Sequence, residues 1–210
     1  MSKALIELVK KQFGSSVLGS HSQFGDDTVV IEAKRWVEVH RFLRDNPAAQ
    51  MTMLVDLCAV DYPDREPRFE LVTHLMSIPK KHRLRVKTLV GDHAGEGAEV
   101  GTLVELWGAA NWFERETWDM MGITFLGHPD LRRILTYPEF EGHPLRKDYP
   151  ANRTQPLVPY REGPDVLDKL APFGFDEGMP FGRQTHLTQR PSLAEDPYGT
   201  YRPRPGRVRA

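Results

Sequence analysis

The stretch from Phe69 to Val90 constrains the fold more than any other part of this chain. Phe69 to Ile78 and Leu84 to Val90 are two apolar, β-branched-rich runs joined by Pro79-Lys80-Lys81-His82. In the second run Leu84, Val86 and Val90 fall on one face while Arg85 and Lys87 fall on the other, the period of two that a half-buried strand shows. The pair predicts an antiparallel hairpin.

The flanking sequence supplies partners for it. Ser2 can cap a helix that carries Leu5, Ile6, Val9 and Phe13 on one stripe, with Gly14 as its stop. Thr28 to Ala33 reads as a strand, and Trp36 to Arg44 as an amphipathic helix halted before Pro47. Met51 to Val60 has apolar residues at every odd position and suits a half-buried strand, with a short helix as the alternative. Strands in succession after two helices, without the alternation of a doubly wound sheet, predict an α+β fold: N-terminal helices on a mostly antiparallel sheet, then a further helix and an extended segment. The predicted division is residues 1–108 for the α+β domain, 109–150 for the helix and the loop after it, which the family resemblance given below makes a docking loop, and 151–210 for an extended tail.

Composition enters where it excludes something. With 210 residues and 40% hydrophobic content, the chain can bury one sizeable core but is short for two full domains. A formal net charge of −1 gives no overall electrostatic footprint for nucleic acid, so no nucleic-acid partner is expected. The single cysteine, Cys58, can build neither a disulfide framework nor a thiolate-held iron–sulfur cluster within the chain. No apolar run reaches the roughly 18 residues of a membrane span, so a soluble chain in the cytoplasm is expected. Residues 151–210 hold nine prolines and six glycines with hardly any apolar period, which reads as an extended or disordered tail.

The third helix begins in NWFERETWDMMG, where Asn111 with Glu114 three residues on makes a capping-box pattern and Gly122 a left-handed stop. Gly-His-Pro then occurs twice, at residues 127–129 and 142–144, each leading into Leu-Arg and a second cation, Arg133 or Lys147. A metal site at His128 and His143 lacks helical i, i+4 spacing, because proline follows each histidine. Glu116 and Asp119 share a helix face as paired acids could, but no nucleophile or substrate pocket accompanies them. No glycine-rich phosphate loop occurs. From His128 to Tyr149 four acids and four bases alternate with aliphatic and aromatic residues, a composition that fits a protein interface and equally a loop folded onto its own domain.

The residues E-R-E-T-W-D-M-M at 114–121, His128, Arg132 and Ile134 at fixed spacings, and E-G-H-P-L-R-K-D-Y-P at 141–150 resemble the signature of the C subunit of NADH-quinone oxidoreductase, the 30 kDa subunit family of respiratory complex I. FLRDNP at 42–47, LVDLCAVDYP at 54–63 and FELVTHL at 69–75 are similar to the same family, so the resemblance covers about residues 30–150. It implies a peripheral-arm subunit without catalytic residues, cofactor or metal of its own. FMN and iron–sulfur clusters would lie in partner subunits, and NADH and quinone would be substrates of the whole complex. The implied neighbours are the quinone-site D subunit, chiefly, together with the adjacent B subunit; membrane association would be indirect, on the cytoplasmic side of the plasma membrane. The implied interface residues are Glu114, Arg115, Glu116, Asp119, His128, Arg132, Arg133, Glu141, His143, Arg146, Lys147, Asp148 and Tyr149, whose charges would pair within the chain or with the partner. The alternatives are the equivalent subunit of a membrane-bound hydrogenase or other-donor quinone dehydrogenase, and a free-standing metal-dependent hydrolase using His128, His143 and the helix carboxylates.

Overall fold

A computed structural model describes residues 3–156. The elements run α1 (Lys3–Phe13), β1 (Val17–Gln23), β2 (Asp26–Ile31), α2 (Trp36–Asp45), β3 (Met53–Asp61), β4 (Phe69–Ser77), β5 (His82–Val90), β6 (Glu99–Gly101), α3 (Ala110–Met121) and β7 (Thr124–Leu126). Strands β1 to β5 form one sheet in the order β1-β2-β5-β4-β3, antiparallel except for the parallel pair β2–β5, while β6 and β7 form a two-stranded parallel ladder. The fold is the expected α+β class with a mostly antiparallel sheet.

The predicted hairpin is β4–β5, paired from Phe69↔Val90 to Ser77↔His82. Leu84, Val86 and Val90 are buried as their alternation requires, opposite Leu75, Thr73 and Phe69. On α2 the stripe Trp36, Val39 and Leu43 is fully buried, and on α1 Leu5, Ile6 and Val9 enter the same core. His40, buried beside them, donates from Nδ1 to the Trp36 carbonyl at 2.7 Å and accepts the Thr73 hydroxyl at Nε2 at 2.8 Å. Burial pushes its pKa down to about 4, so it works as a neutral link between helix and sheet.

Several expectations change. Strand β1 is not visible in VLGSHSQ, where no residue is buried and the burial does not alternate, because it is the outer edge strand. Strand β2 begins at Asp26 and stops at Ile31, where a 3-10 turn at Ala33–Arg35 leads into α2. In β3 the odd-numbered apolar face breaks: Leu54 and Leu57 are buried, whereas Met53 and Val55 are exposed. The register with β4 shifts between Leu54 and Asp56, and one extra residue in a strand turns every following side chain to the other face. The capping box is also absent. Ala109 occupies the N-cap of α3 with no side-chain cap, and Glu114 bonds elsewhere. Gly122 is the left-handed stop predicted, at φ +79°.

The residues around the 108/109 boundary belong to one core, since Ala110, Met120 and Met121 of α3 are buried with the sheet residues and Thr117 Oγ1 donates to the Leu57 carbonyl on β3. The tail expectation for 151–210 falls almost wholly outside the described residues.

Candidate functional site

The site implied by the signature is α3 together with the segment from Gly127 to Pro150, here termed the strap. A helix leaves its last four carbonyls without intrahelical donors. On α3 the strap supplies most of them. Gly122 N bonds the Trp118 carbonyl, His143 Nδ1 donates to the Asp119 carbonyl at 3.0 Å, Leu145 N to that of Met120 at 3.1 Å, and Arg146 Nε to that of Met121 at 2.6 Å. The second Gly-His-Pro segment is therefore a C-terminal cap delivered by a distant stretch of the same chain. The cation at Arg146 also suits the negative end of the helix dipole. Gly122 makes the approach possible: besides its positive φ, a Cβ there would stand 2.6 Å from both Arg146 Nη2 and His143 Nε2.

Asp119 anchors the first half of the strap. Its Oδ2 accepts the backbone N–H groups of Ile134, Leu135 and Thr136 at 2.9–3.0 Å, and its Oδ1 accepts Arg133 Nη1 at 2.7 Å and the Thr136 hydroxyl at 2.5 Å. Burial pushes this carboxyl up, but the bonds from Thr136, Arg133 and Ile134 outweigh it and hold the pKa at about 2. Arg115, one turn earlier, reaches the same segment through the carbonyls of Arg132 at 3.1 Å and Arg133 at 3.4 Å. His128 of the first Gly-His-Pro donates from Nε2 to the Asn111 carbonyl at 3.2 Å and accepts Asp130 N at Nδ1 at 3.0 Å.

Glu114 does something different from what its spacing suggests. It is fully buried and accepts the Thr102 hydroxyl at 2.5 Å and Leu103 N at 2.6 Å, so it fastens the loop after β6 to α3. Burial raises its pKa to about 7, because those two bonds only partly offset desolvation.

The strap's far end is held by a pair that sequence reasoning misses. Arg68 and Asp61, with side chains 4% and 0% exposed, form a two-bond ion pair at 2.7 and 2.8 Å. Lys147 N donates to Asp61 Oδ2 at 2.7 Å, and Arg68 Nη1 reaches Asp148 at 2.9 Å. Arg146 lies over the Phe69 ring, its guanidinium carbon 5.2 Å from the centroid. Tyr149 stacks on Phe140, and Glu141 pairs with Arg153 at 2.8 Å. The available signal is Asp61 itself, a buried acid closing the LVDLCAVD strand, which requires a partner.

Four signature residues stay outside this network or at its margin. Glu116 and the Lys147 side chain are exposed, the Arg132 side chain pairs with Asp130 at the surface, and the Asp148 carboxylate is half in solvent. His128, His143 and the helix carboxylates do not assemble into a metal site: among the described residues no group of three or more His, Cys, Asp or Glu could hold an ion. Cys58 is half-buried, and burial followed by Asp56 and Glu116 pushes its thiol up to about 11, so it stays protonated at neutral pH. Among the described residues no helix is long and apolar enough to cross a membrane.

Apolar side chains face outward among these charges. Trp112 on α3 is 61% exposed, and Leu135, Tyr137 and Leu145 of the strap are 63%, 38% and 54% exposed. Fold and site together define an α+β domain that spends most of its signature charges on itself and presents aromatic and aliphatic side chains around them.

The chain is similar to known proteins. The profile of the family described as Respiratory-chain NADH dehydrogenase, 30 Kd subunit, matches residues 29–155. The NADH-quinone oxidoreductase C subunit of Methylobacterium radiotolerans is 46% identical over 147 residues, 70% of this chain and 66% of that protein. The second such C subunit of Rhizobium etli is 43% identical over 172 residues, 82% of this chain and 83% of its own length. Among solved structures, the trypsin-resistant fragment (1-134) of Nqo5 aligns with a TM-score of 0.52 at 29% identity, covering 60% of this chain and 98% of the fragment. A chain of the membrane-bound sulfane sulfur reductase, an archaeal respiratory membrane complex, shares the fold with a TM-score of 0.59 at 22% identity, over 71% of this chain and 86% of that one. The chain belongs to the 30 kDa subunit family of respiratory-chain NADH dehydrogenase.

Proposed function

We propose that this chain is a peripheral-arm scaffold subunit of proton-translocating NADH-quinone oxidoreductase, docking through the α3–strap surface onto the quinone-site D subunit, next to the B subunit. On this reading it carries no redox centre. Electrons pass from NADH through FMN and iron–sulfur clusters in partner subunits to quinone, and the chain is held indirectly at the cytoplasmic side of the membrane. The observation that supports it is the division of labour in the strap. Asp119, Arg133, His143 and Arg146 are consumed by intrachain bonds, while Trp112, Leu135, Tyr137 and Leu145 remain exposed beside them. Aromatic and aliphatic anchors on a prefixed backbone are the composition of a binding hot spot with a low ordering cost.

On this reading Arg146 stabilises the docking surface from behind by gripping the Met121 carbonyl. His143→Ala removes one cap bond of α3 at a cost of about 1–3 kcal/mol. The variant should lower the amount of complex on a native gel, with NADH-quinone activity per assembled complex near normal. Full assembly with no activity per complex would place His143 in the quinone chemistry and overturn the scaffold reading. Copurification with a tagged chain identifies the neighbours. Recovery of hydrogenase subunits in place of NADH- and flavin-binding ones would assign it to the related hydrogenase.

A further inference from the structure

The turn of the β4–β5 hairpin concentrates charge of one sign. Residues 71–91 contain Lys80, Lys81, Arg83, Arg85 and Lys87 and no acid. Two of these cations are matched within the sheet: Lys87 pairs with Glu70 at 2.7 Å, and Arg85 reaches Asp26 at 3.4 Å. The three nearest the turn are not. Lys81 and Arg83 are exposed and form no ion pair or side-chain hydrogen bond among the described residues, and the Lys80 ammonium donates to backbone carbonyls, those of Pro47 and Ala48. Asp56 stands opposite His74, and His74 opposite Arg85, one step further from the turn than Arg83. The backbone that carries the free cations is braced. Ser77↔His82 is the last pair of the ladder, so residues 78–81 form the loop. Lys81 N donates to the Ser77 carbonyl at 2.8 Å, Lys80 N to Ser77 Oγ at 3.3 Å, and His82 Nε2 to the Ala49 carbonyl at 2.7 Å. Lys81 has φ +54°, a left-handed backbone that suits glycine or asparagine and costs a lysine conformational energy. Among the described residues nothing uses its side chain in return.

We infer that this turn is a second docking site, which takes an acidic surface of a neighbouring subunit: carboxylates paired with Lys81 and Arg83, beside an apolar contact on Ile78, which is 60% exposed. The inference rests on the chain working inside a multi-subunit complex. Because the turn is already fixed, an approaching carboxylate meets two unpaired cations without ordering any backbone, and the pairing strengthens as water leaves the interface. An anionic bilayer fits less well, since a cluster of about four to eight cations marks that partner and the turn presents Lys80, Lys81 and Arg83 alone. The site is separate from the strap. The strap's far end is held at Asp61 and Arg68, where β4 begins, whereas the turn follows the other end of β4, about 27 Å along the strand. Contacts at both places would hold the chain at the two ends of its sheet.

The test uses the full-length tagged chain in cells lacking their own copy, and the complex isolated from them. Carbodiimide joins a lysine to a carboxylate only where the two touch, so treating the wild-type complex should link Lys81 to an aspartate or glutamate of another subunit, read by mass spectrometry. Lys81→Arg keeps the charge, cannot form that amide and should assemble normally. Reversing both free cations, Lys81→Glu with Arg83→Glu, should lower the yield of complex on a native gel about tenfold. The association that remains should lose its sensitivity to sodium chloride, because salt screens exposed pairs. Lys81→Asn suits the left-handed turn, so the melting midpoint of the free chain should stay within about 2 °C of wild type, while assembly falls about threefold. A residue serving the fold would lower midpoint and yield together, and that result overturns the inference. So does a doubly reversed variant that assembles in wild-type yield. A link from Lys81 to a second copy of this chain, or Lys81-dependent binding to phosphatidylglycerol vesicles, overturns it too by assigning the turn to self-association or to lipid. A wild-type chain that enters no complex overturns both this inference and the scaffold reading, whereas a complex that forms equally with and without the two cations overturns this one alone.

Discussion

In β4 and β5, alternate residues from Phe69 to Val90 are sunk in the core, and the ladder between them is an unbroken run of antiparallel pairs. In the strap, no residue from 127 to 150 is fully buried, yet the chain follows one path from Gly127 to Pro150. Apolar area removed from water holds the first region, and that force has no direction. A few charged side chains aimed at backbone groups hold the second. The sheet tolerates exchange among hydrophobic residues of similar volume. The strap cannot exchange Asp119, because five donors converge on one carboxylate and no other residue type at that position would meet all of them.

The comparison breaks most sharply at Asp119. Asp119→Ala removes the acceptor for Ile134, Leu135 and Thr136 N–H and leaves Arg133 largely buried without its carboxylate. Breaking such a pair costs about 3–5 kcal/mol. Hydrogen exchange should show the amides of residues 134–136 losing protection while those of β4 and β5 keep most of theirs. Equal loss in both regions would mean that strap and sheet form one cooperative unit. Acid should release the strap in the same way. The folded Asp119 carboxyl sits at about 2, below its ordinary value near 3.8, so its contribution is present above the ordinary value and is lost as pH falls towards 2.

Glu114, five residues earlier on α3, titrates with the opposite sign. Its folded pKa is raised from 4.5 to about 7, so it contributes most below 4.5 and its contribution is lost as pH rises through 7. The two buried carboxylates differ in what meets them: Asp119 has a guanidinium, a hydroxyl and three backbone amides, whereas Glu114 has one hydroxyl and one amide. Stability of the free chain should therefore decline between about pH 4.5 and 7, by an amount on the order of 3 kcal/mol. Glu114→Gln should flatten that slope while leaving the acid release of the strap in place. A slope that survives the substitution would assign it to another group.

These differences explain how far the chain can be read in advance. The β4–β5 hairpin and the stripes of α1 and α2 are legible because burial imposes a period, and a period can be counted in sequence. Strand β1 is not, since an edge strand with polar faces carries no period. The face of β3 misleads because a bulge between Leu54 and Asp56 changes the phase without changing composition. For the site, the residues of the signature are recognisable but their partners are not. Glu114 fits a capping box by spacing and instead bonds Thr102 and Leu103, and Arg146 grips the Met121 carbonyl and lies over Phe69. Bonds to backbone groups depend on where the chain goes and leave no mark on residue spacing. The Arg68–Asp61 pair is hidden for the same reason, being short in sequence yet joined to Lys147 and Asp148.

The smallest expected effect on the free chain sharpens the comparison from the other side. Leu135 donates its backbone N–H to Asp119 but turns its side chain outward, 63% exposed, beside Tyr137. Leu135→Ser keeps the backbone bond and removes only solvent-facing apolar surface, so urea unfolding of the isolated chain should shift by no more than about 0.5 kcal/mol. In the assembled complex the same side chain would sit in a desolvated interface, where truncating an anchor costs about 1–2 kcal/mol or more. Its loss should therefore appear as a reduced yield of complex and a faster dissociation of the tagged chain, with amide protection at Ile134–Thr136 unchanged. If Leu135→Ser lowers the stability of the free chain as much as it lowers assembly, the outward side of the strap belongs to the fold. In that case the distinction between what holds the strap and what the strap offers would not stand.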